Sequence, residues 1–233
     1  MENQNTSVLN KTISVLFAIS LVFMIISFSI CLPIYFRPFY YMQIEPLGIE
    51  ASTGYTKAEI KDAFNELMDF LTLDGEFGVG VFSYSESGKS HFYDCKMLFG
   101  LNTKAFIASL AFCSAILVIY KIMKKRLWRP FGLSISFFAA IGTLLTFVLT
   151  GLLVALDFQR AFKIFHRIVF PGKTNWTFYV DEDPIILALP LNYFISCAAL
   201  ILVSILSICT AIIITSLVKR KRYRKSTTYN ASF

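Results

Sequence analysis

"AFIASLAFCSAILVIYKIMKKRLWRPFGLSISFFAAIGTLLTFVLTGLLVAL", residues 105–156, contains two uncharged apolar runs joined by a short basic link. Each run is close to the roughly 20 residues that a helix needs to cross the hydrocarbon core of a bilayer. The link, "KIMKKRLWRP" at 121–130, carries five Lys or Arg and no acid. Short basic links beside helix ends stay in the cytoplasm. The stretch therefore predicts a helical hairpin that crosses a membrane and turns on the inside.

The rest of the chain extends this pattern. Four apolar blocks are present, from about Ile13 to Phe36, Ala105 to Met123, Leu133 to Leu156 and Leu191 to Val218, none with a charge in its middle. The chain is 56% hydrophobic, against about 45–50% apolar for a soluble domain. The first block reads as a retained helix, because its apolar stretch exceeds the roughly 7–15 residues of a cleaved leader. The tail "KRKRYRK", residues 219–225, has six bases and no acid. Tail and link both belong inside, so the N-terminus does too. The resulting division is 1–36, cytoplasmic N-terminus and first transmembrane helix; 37–103, an extracellular cap; 104–156, the second and third helices with their basic cytoplasmic loop; 157–190, an extracellular interfacial segment; 191–218, the fourth helix; and 219–233, a basic cytoplasmic tail. The net charge of +7 lies mostly in these flanks. It is not a nucleic-acid footprint, although it suits contact with anionic lipid. No charge sits at mid-membrane, which argues against an ion pathway.

The cap carries structure of its own. "YTKAEIKDAFNELMDFL" predicts a helix over 57–71, with Thr56 as N-cap, Glu59 completing a capping box, and Ile60, Phe64, Leu67, Phe70 and Leu71 on one face. The alternation of Val79, Val81 and Tyr84, with turn residues at 85–88, predicts a strand or hairpin. A short helix is then expected from an N-cap at Ser90. The fold expected is an all-α polytopic membrane protein with four transmembrane helices and a small extracellular α+β cap. It also has an interfacial amphipathic helix. In that helix Phe158, Phe162, Phe165 and Val169 lie on one face, and Gln159, Arg160, Lys163 and Arg167 on the other. His166 falls at the edge of the polar face, and "FPG" ends the helix.

The chain has only two histidines, His91 and His166, one in each exterior segment. Two imidazoles on one membrane face can share a site, and with an ordinary pKa near 6.5 either can act as acid or base. On a helix, Asp94 is one turn from His91, where a carboxylate can fix its tautomer. The plainer alternative, two interfacial histidines each with an ordinary hydrogen bond, stays open on the residues alone. Lys96 and Arg167 read either as headgroup-binding cations or as snorkelling side chains. Trp176 suits headgroup depth. Asp183 ends a run, "DED", that reads as solvated, and Asn175 opens an Asn-x-Thr sequon that carries no weight here. Of five cysteines, only Cys95 lies in a polar segment. There is no C-x-x-C pair, H-E-x-x-H, G-x-S-x-G or P-loop, so no metal or cofactor is expected. A metal held by His91, His166 and Asp94 or Asp183 is a rival reading.

At these residues the chain resembles a known family. "HFYDCKMLF" (91–99) is similar to the H-x-x-D-V-K-x-L-F stretch of the lipoprotein intramolecular transacylases of Gram-positive bacteria. "FHRIVFPGKTNWTFYVDEDPIILALPLNYF" (165–194) resembles that family's second signature. Cys95 stands where the pattern commonly has Val, and Tyr179 where it commonly has an acid or amide. The resemblance implies a four-helix membrane enzyme with its site on the extracellular face of the plasma membrane. Its substrate would be a diacylated bacterial lipoprotein. It would move the sn-2 acyl chain of the diacylglyceryl-cysteine onto the same cysteine's α-amino group, giving the lyso form. His91 and His166 would be the catalytic pair. Asp94, Lys96, Arg167, Trp176 and Asp183 would support or orient. No cofactor, metal or nucleic acid is implied; the partners are the lipoprotein and membrane lipids, and a monomer is expected. The chemistry suggests His91, oriented by Asp94, as base and His166 as oxyanion stabiliser or acid, with the two roles exchangeable. The competing class is a non-catalytic membrane module that binds lipoproteins or envelope polymers.

Overall fold

The computed structural model of the 233-residue chain describes residues 7–73 and 75–230, with side chains up to residue 222. The end of the basic tail expected over 219–233, and residues 1–6 of the first segment, lie outside the described residues. Nine α-helices are present among those described: α1 (Val8–Tyr35), α2 (Pro38–Tyr41), α3 (Ile49–Thr53), α4 (Lys57–Thr72), α5 (Glu86–Ile122), α6 (Ile135–Leu156), α7 (Phe158–Val169), α8 (Ile185–Ala188) and α9 (Leu191–Asn230). A 3₁₀ turn at Pro130–Gly132 precedes α6. Four helices, α1, α5, α6 and α9, are long and apolar enough to cross a membrane, so the protein is a multi-pass membrane protein.

The chain divides into two compact units. The first comprises residues 1–28, 105–150 and 202–233. It is built from apolar helical segments stitched by a few polar contacts. Tyr120 Oη donates to Asn10 Oδ1 at 2.8 Å, the Trp128 amide donates to Ser14 Oγ at 2.9 Å, and Ser134 and Ser216 hydroxyls lie 2.8 Å apart. These bonds tie the end of α5 and the basic link to α1, and the residue before α6 to α9. Polar groups buried away from water must find such partners.

The second unit comprises residues 29–104 and 151–201 and holds the larger core. Helix α4 starts as its sequence predicts. The Thr56 amide donates to Glu59 Oε2 at 2.8 Å, and the Glu59 amide reaches Thr56 Oγ1 at 3.4 Å. Its apolar face, Ile60, Phe64, Leu67, Phe70 and Leu71, is buried. Tyr40 stacks on Phe64 at 3.8 Å between centroids and donates to the Ala188 carbonyl. One hydrogen bond thus satisfies the phenol of a fully buried ring.

The cap is not α+β: no strand is present among the described residues. The segment after α4 instead folds back onto that helix as an irregular strap. Its turn is at Gly80, with φ +60, where a Cβ would lie 2.7 Å from Ala63 Cα. The Gly80 amide donates to Glu66 Oε2 at 2.6 Å, so a side chain takes the bond that a ladder would need. Val79 and Phe82 are buried, while Val81 and Tyr84 are exposed. The alternation seen in sequence reflects a turn docked on a helix rather than a pleated strand.

The expected short helix from Ser90 is part of a longer one. Ser85 caps α5, accepting from the Gly88 amide at 2.9 Å. Asp183 anchors Ser85, accepting from its amide at 2.8 Å and its hydroxyl at 2.7 Å. With 37 residues, α5 is about 55 Å long, well beyond a hydrocarbon core of about 30 Å. Its charge-free run begins after Lys104, so the turns around His91 stand outside the hydrocarbon.

Candidate active site

Helix α7 brings the second histidine in. Asp157 caps it, accepting from the Arg160 amide at 2.9 Å. It has three sides rather than two. Gln159, Arg160, Lys163 and Arg167 are exposed, as are the apolar Ile164, Phe165 and Ile168, while His166 is buried. The exposed apolar side suits a helix lying in the membrane interface. His166, expected at the polar edge and partly wet, is only 7% exposed. It points among Phe162, Phe170 and Trp176, with ring centroids at 4.3, 5.8 and 5.1 Å.

The two histidines meet. His91 and His166 have ring centroids 5.8 Å apart, with 37° between the ring planes. Both line an apolar cavity of about 460 Å³, walled by side chains such as Phe92, Leu98, Phe162, Phe178 and Ile201. That is within the usual size range of a small-molecule site. Its few polar groups are the two imidazoles, Cys95, Cys197, Tyr193 and Trp176.

The two rings differ in chemistry. His166 Nδ1 lies 2.8 Å from the Phe162 carbonyl. A carbonyl only accepts, so Nδ1 carries the proton and Nε2 keeps its lone pair. Burial lowers the His166 pKa below its ordinary 6.5, partly offset by that bond. His91 is pushed down to about 4, first by burial and then by the neighbouring His166, with Asp94 opposing and Lys173 assisting. His91 is therefore neutral at any ordinary pH. Its Nε2 lies 3.4 Å from Cys95 Sγ, and its buried Nδ1 has no partner.

Asp94 does not orient His91 by a hydrogen bond. Its carboxylate accepts from Lys173 Nζ and from Asn175 Nδ2, the latter at 3.0 Å. Burial raises the Asp94 carboxyl, but these two bonds and the Lys173 charge outweigh it and hold it below its ordinary value. Asp94 thus moors the loop after α7 to α5. On that loop the Trp176 indole donates to the Lys173 carbonyl at 2.9 Å, which sets the ring against His166.

The remaining expected residues fall elsewhere. Lys96 Nζ sits 4.6 Å over the Phe70 ring, a cation–π contact off the cavity. Arg167 is exposed on α7. Asp183 is 3% exposed and is no part of a solvated run; it fixes the start of α5. The metal-site rival lacks its geometry, since Asp94 and Asp183 are both engaged. Among the described residues no three His, Cys, Asp or Glu side chains are grouped to hold an ion. Lys173 and Asn175 escape sequence reasoning. One reads as a lone loop lysine and the other as half of a sequon, and only the fold turns both toward Asp94.

A family model, "Lipoprotein intramolecular transacylase Lit", matches residues 15–194. Among solved structures, the membrane-integral lipoprotein intramolecular transacylase Lit from Bacillus cereus is similar. It is 26% identical, with a TM-score of 0.80, and the match covers 92% of this chain and 98% of that one. A variant of the same protein with a histidine replaced by arginine matches at 25% identity and a TM-score of 0.74, over 93% and 95% of the two chains. No curated protein matches.

Proposed function

The chain belongs to the lipoprotein intramolecular transacylase family, and we infer from this that it is a membrane enzyme acting on lipoproteins. We propose that it moves the sn-2 acyl chain of a substrate's diacylglyceryl-cysteine onto that cysteine's α-amino group, giving the lyso form. One observation carries this reading: two imidazoles from separate segments share an apolar cavity.

The rings divide the work. The substrate amine, with an ordinary pKa of about 7.7–8.0, reacts as its free base, the ammonium proton having gone to solvent. As that nitrogen attacks the ester carbonyl, His166 Nε2, bearing the lone pair, takes one of its two N–H protons. An N–C bond forms and the carbonyl oxygen becomes an oxyanion. Neutral His91 donates a hydrogen bond to it. As the intermediate collapses, the C–O bond to glycerol breaks and the His166 imidazolium returns its proton to the glycerol oxygen. Both rings end as they began. Amine and ester belong to one molecule, so a cavity that folds the substrate into an attacking pose removes much of the entropic barrier. This exchanges the roles suggested by sequence, where Asp94 makes His91 the base. The basic link and tail support cytoplasmic termini and an extracellular site.

The test is mass spectrometry of lipoprotein N-terminal peptides. The chain is expressed in a strain whose lipoproteins carry only diacylglyceryl-cysteine with a free amine, beside His91→Ala and His166→Ala. The expected result is a mass-neutral move of one acyl chain to nitrogen, absent in both variants. An added acyl mass would mean an external donor. No change, with protein folded in the membrane, would point to a binding module.

A further inference from the structure

Cys95 lies one helical turn beyond His91 on α5, with Sγ 3.4 Å from His91 Nε2. A neutral imidazole offers one donor nitrogen and one acceptor nitrogen, and a neighbour decides which is which. A thiol is a weak donor and a weak acceptor, whereas a bare imidazole nitrogen is a good acceptor. The favoured pairing is therefore S–H to nitrogen rather than N–H to sulfur. Burial, with the Asp94 charge adding to it, pushes the Cys95 thiol up to about 12. It keeps its proton and is not a thiolate nucleophile, so an acyl-thioester route through Cys95 finds no support here.

The other ring nitrogen has its own significance. Asp94, the nearest acid on the same helix, is committed to Lys173 and Asn175. His91 Nδ1 is buried without a partner, on a ring that is 6% exposed and lines the cavity. In His166 a backbone carbonyl fixes the proton. In His91 no carbonyl or carboxylate among the described residues hydrogen-bonds the ring, and the Cys95 thiol is the group within hydrogen-bond reach of it.

We propose that Cys95 is a positioning residue that fixes the tautomer of His91. Its S–H donates to Nε2, which keeps the ring proton on Nδ1 as an unspent donor for the oxyanion. The oxyanion role rests on the transacylase reading; the tautomer does not. Cys95 itself touches no reacting atom.

Two histidines in the whole chain make a direct test practical. Full-length protein with nitrogen-15 histidine, in detergent micelles near neutral pH, shows only four ring nitrogens. The expected spectrum has both rings protonated on Nδ1. In Cys95→Val the His91 signals should move toward a tautomer mixture while those of His166 stay. The kcat should fall by about tenfold at unchanged KM, the scale for losing a partner that orients a functional histidine. Cys95→Ser, which keeps an O–H donor, should restore both. An Nε2-protonated His91 in the unaltered protein overturns the proposal, and that spectrum stands even where a variant fails to fold. So does a Cys95→Val protein with unchanged His91 nitrogens. A protein that moves no acyl chain yet shows the expected spectra would remove the transacylase reading alone.

Discussion

Asp94 gives its carboxylate to Lys173 across 79 residues of chain, and not to the His91 imidazole one turn away. The pair holds the loop bearing Trp176 against α5, and so fixes the wall beside His166. Asp94→Asn and Lys173→Met should each lower kcat by about ten- to a hundredfold, through displacement of the loop. Removing both should cost little more than removing either, because the residues act as one unit. A double-mutant cycle on initial rates checks this, and additive losses would mean separate roles.

The base assignment fixes a pH profile. Protonation of the substrate amine should lower kcat as pH falls through about 7.7–8.0. His166 sits below its ordinary 6.5, so its protonation should add a second, steeper fall below that pH. Rates from pH 5 to 8.5 on one lipopeptide test it: a slope of log kcat that steepens from about one to about two below pH 6.5 is expected, and a slope that stays near one would remove His166 as the base.

His91 predicts a stability change over a neighbouring range. Its folded pKa of about 4 lies below the unfolded 6.5, so between these values the unfolded chain binds more protons. Stability is then fully present above pH 6.5 and declines as pH falls toward 4. The difference corresponds to roughly 3 kcal/mol. Thermal unfolding in detergent should show this decline, and His91→Asn should flatten it.

Gly80 is the strap's fixed point. An alanine there would place Cβ 2.7 Å from Ala63 Cα at φ +60. Gly80→Ala should destabilise the protein by about 1–3 kcal/mol, read as a lower Tm. An unchanged Tm would show that the strap shifts freely on α4.

The four membrane helices and α4 are legible in the sequence because each is written in a local code, apolar length or a capping box with a periodic face. The two histidines are legible for a different reason: the chain has no others. The strap is misread because Val79, Val81 and Tyr84 alternate, and alternation is silent about whether a partner strand exists. Glu66, thirteen residues upstream of Val79, decides that instead. Asp94 is misread for a similar reason. Helical spacing brings it near His91, but its bonds go to a lysine and an asparagine that only the tertiary fold brings to it. Ser85 and Asp183, 98 residues apart, likewise set where α5 begins.

The cavity wall has a further consequence for the proposed reaction. A base poised beside an activated ester does not distinguish nucleophiles; water attacks by the same route and yields a free fatty acid. Here the lining, among the described residues, includes no carboxylate, ammonium or aliphatic hydroxyl that would hold a water molecule in line, and once the amine and ester engage the two imidazoles a water beside them lacks the two to four partners that retain it. The walls therefore choose between nucleophiles, by leaving the tethered amine without a competitor. Fidelity of transfer over hydrolysis is then a property of Phe92, Phe162 and Phe178 as much as of the histidines. A polar replacement such as Phe178→Ser should reveal it as fatty acid released into the medium.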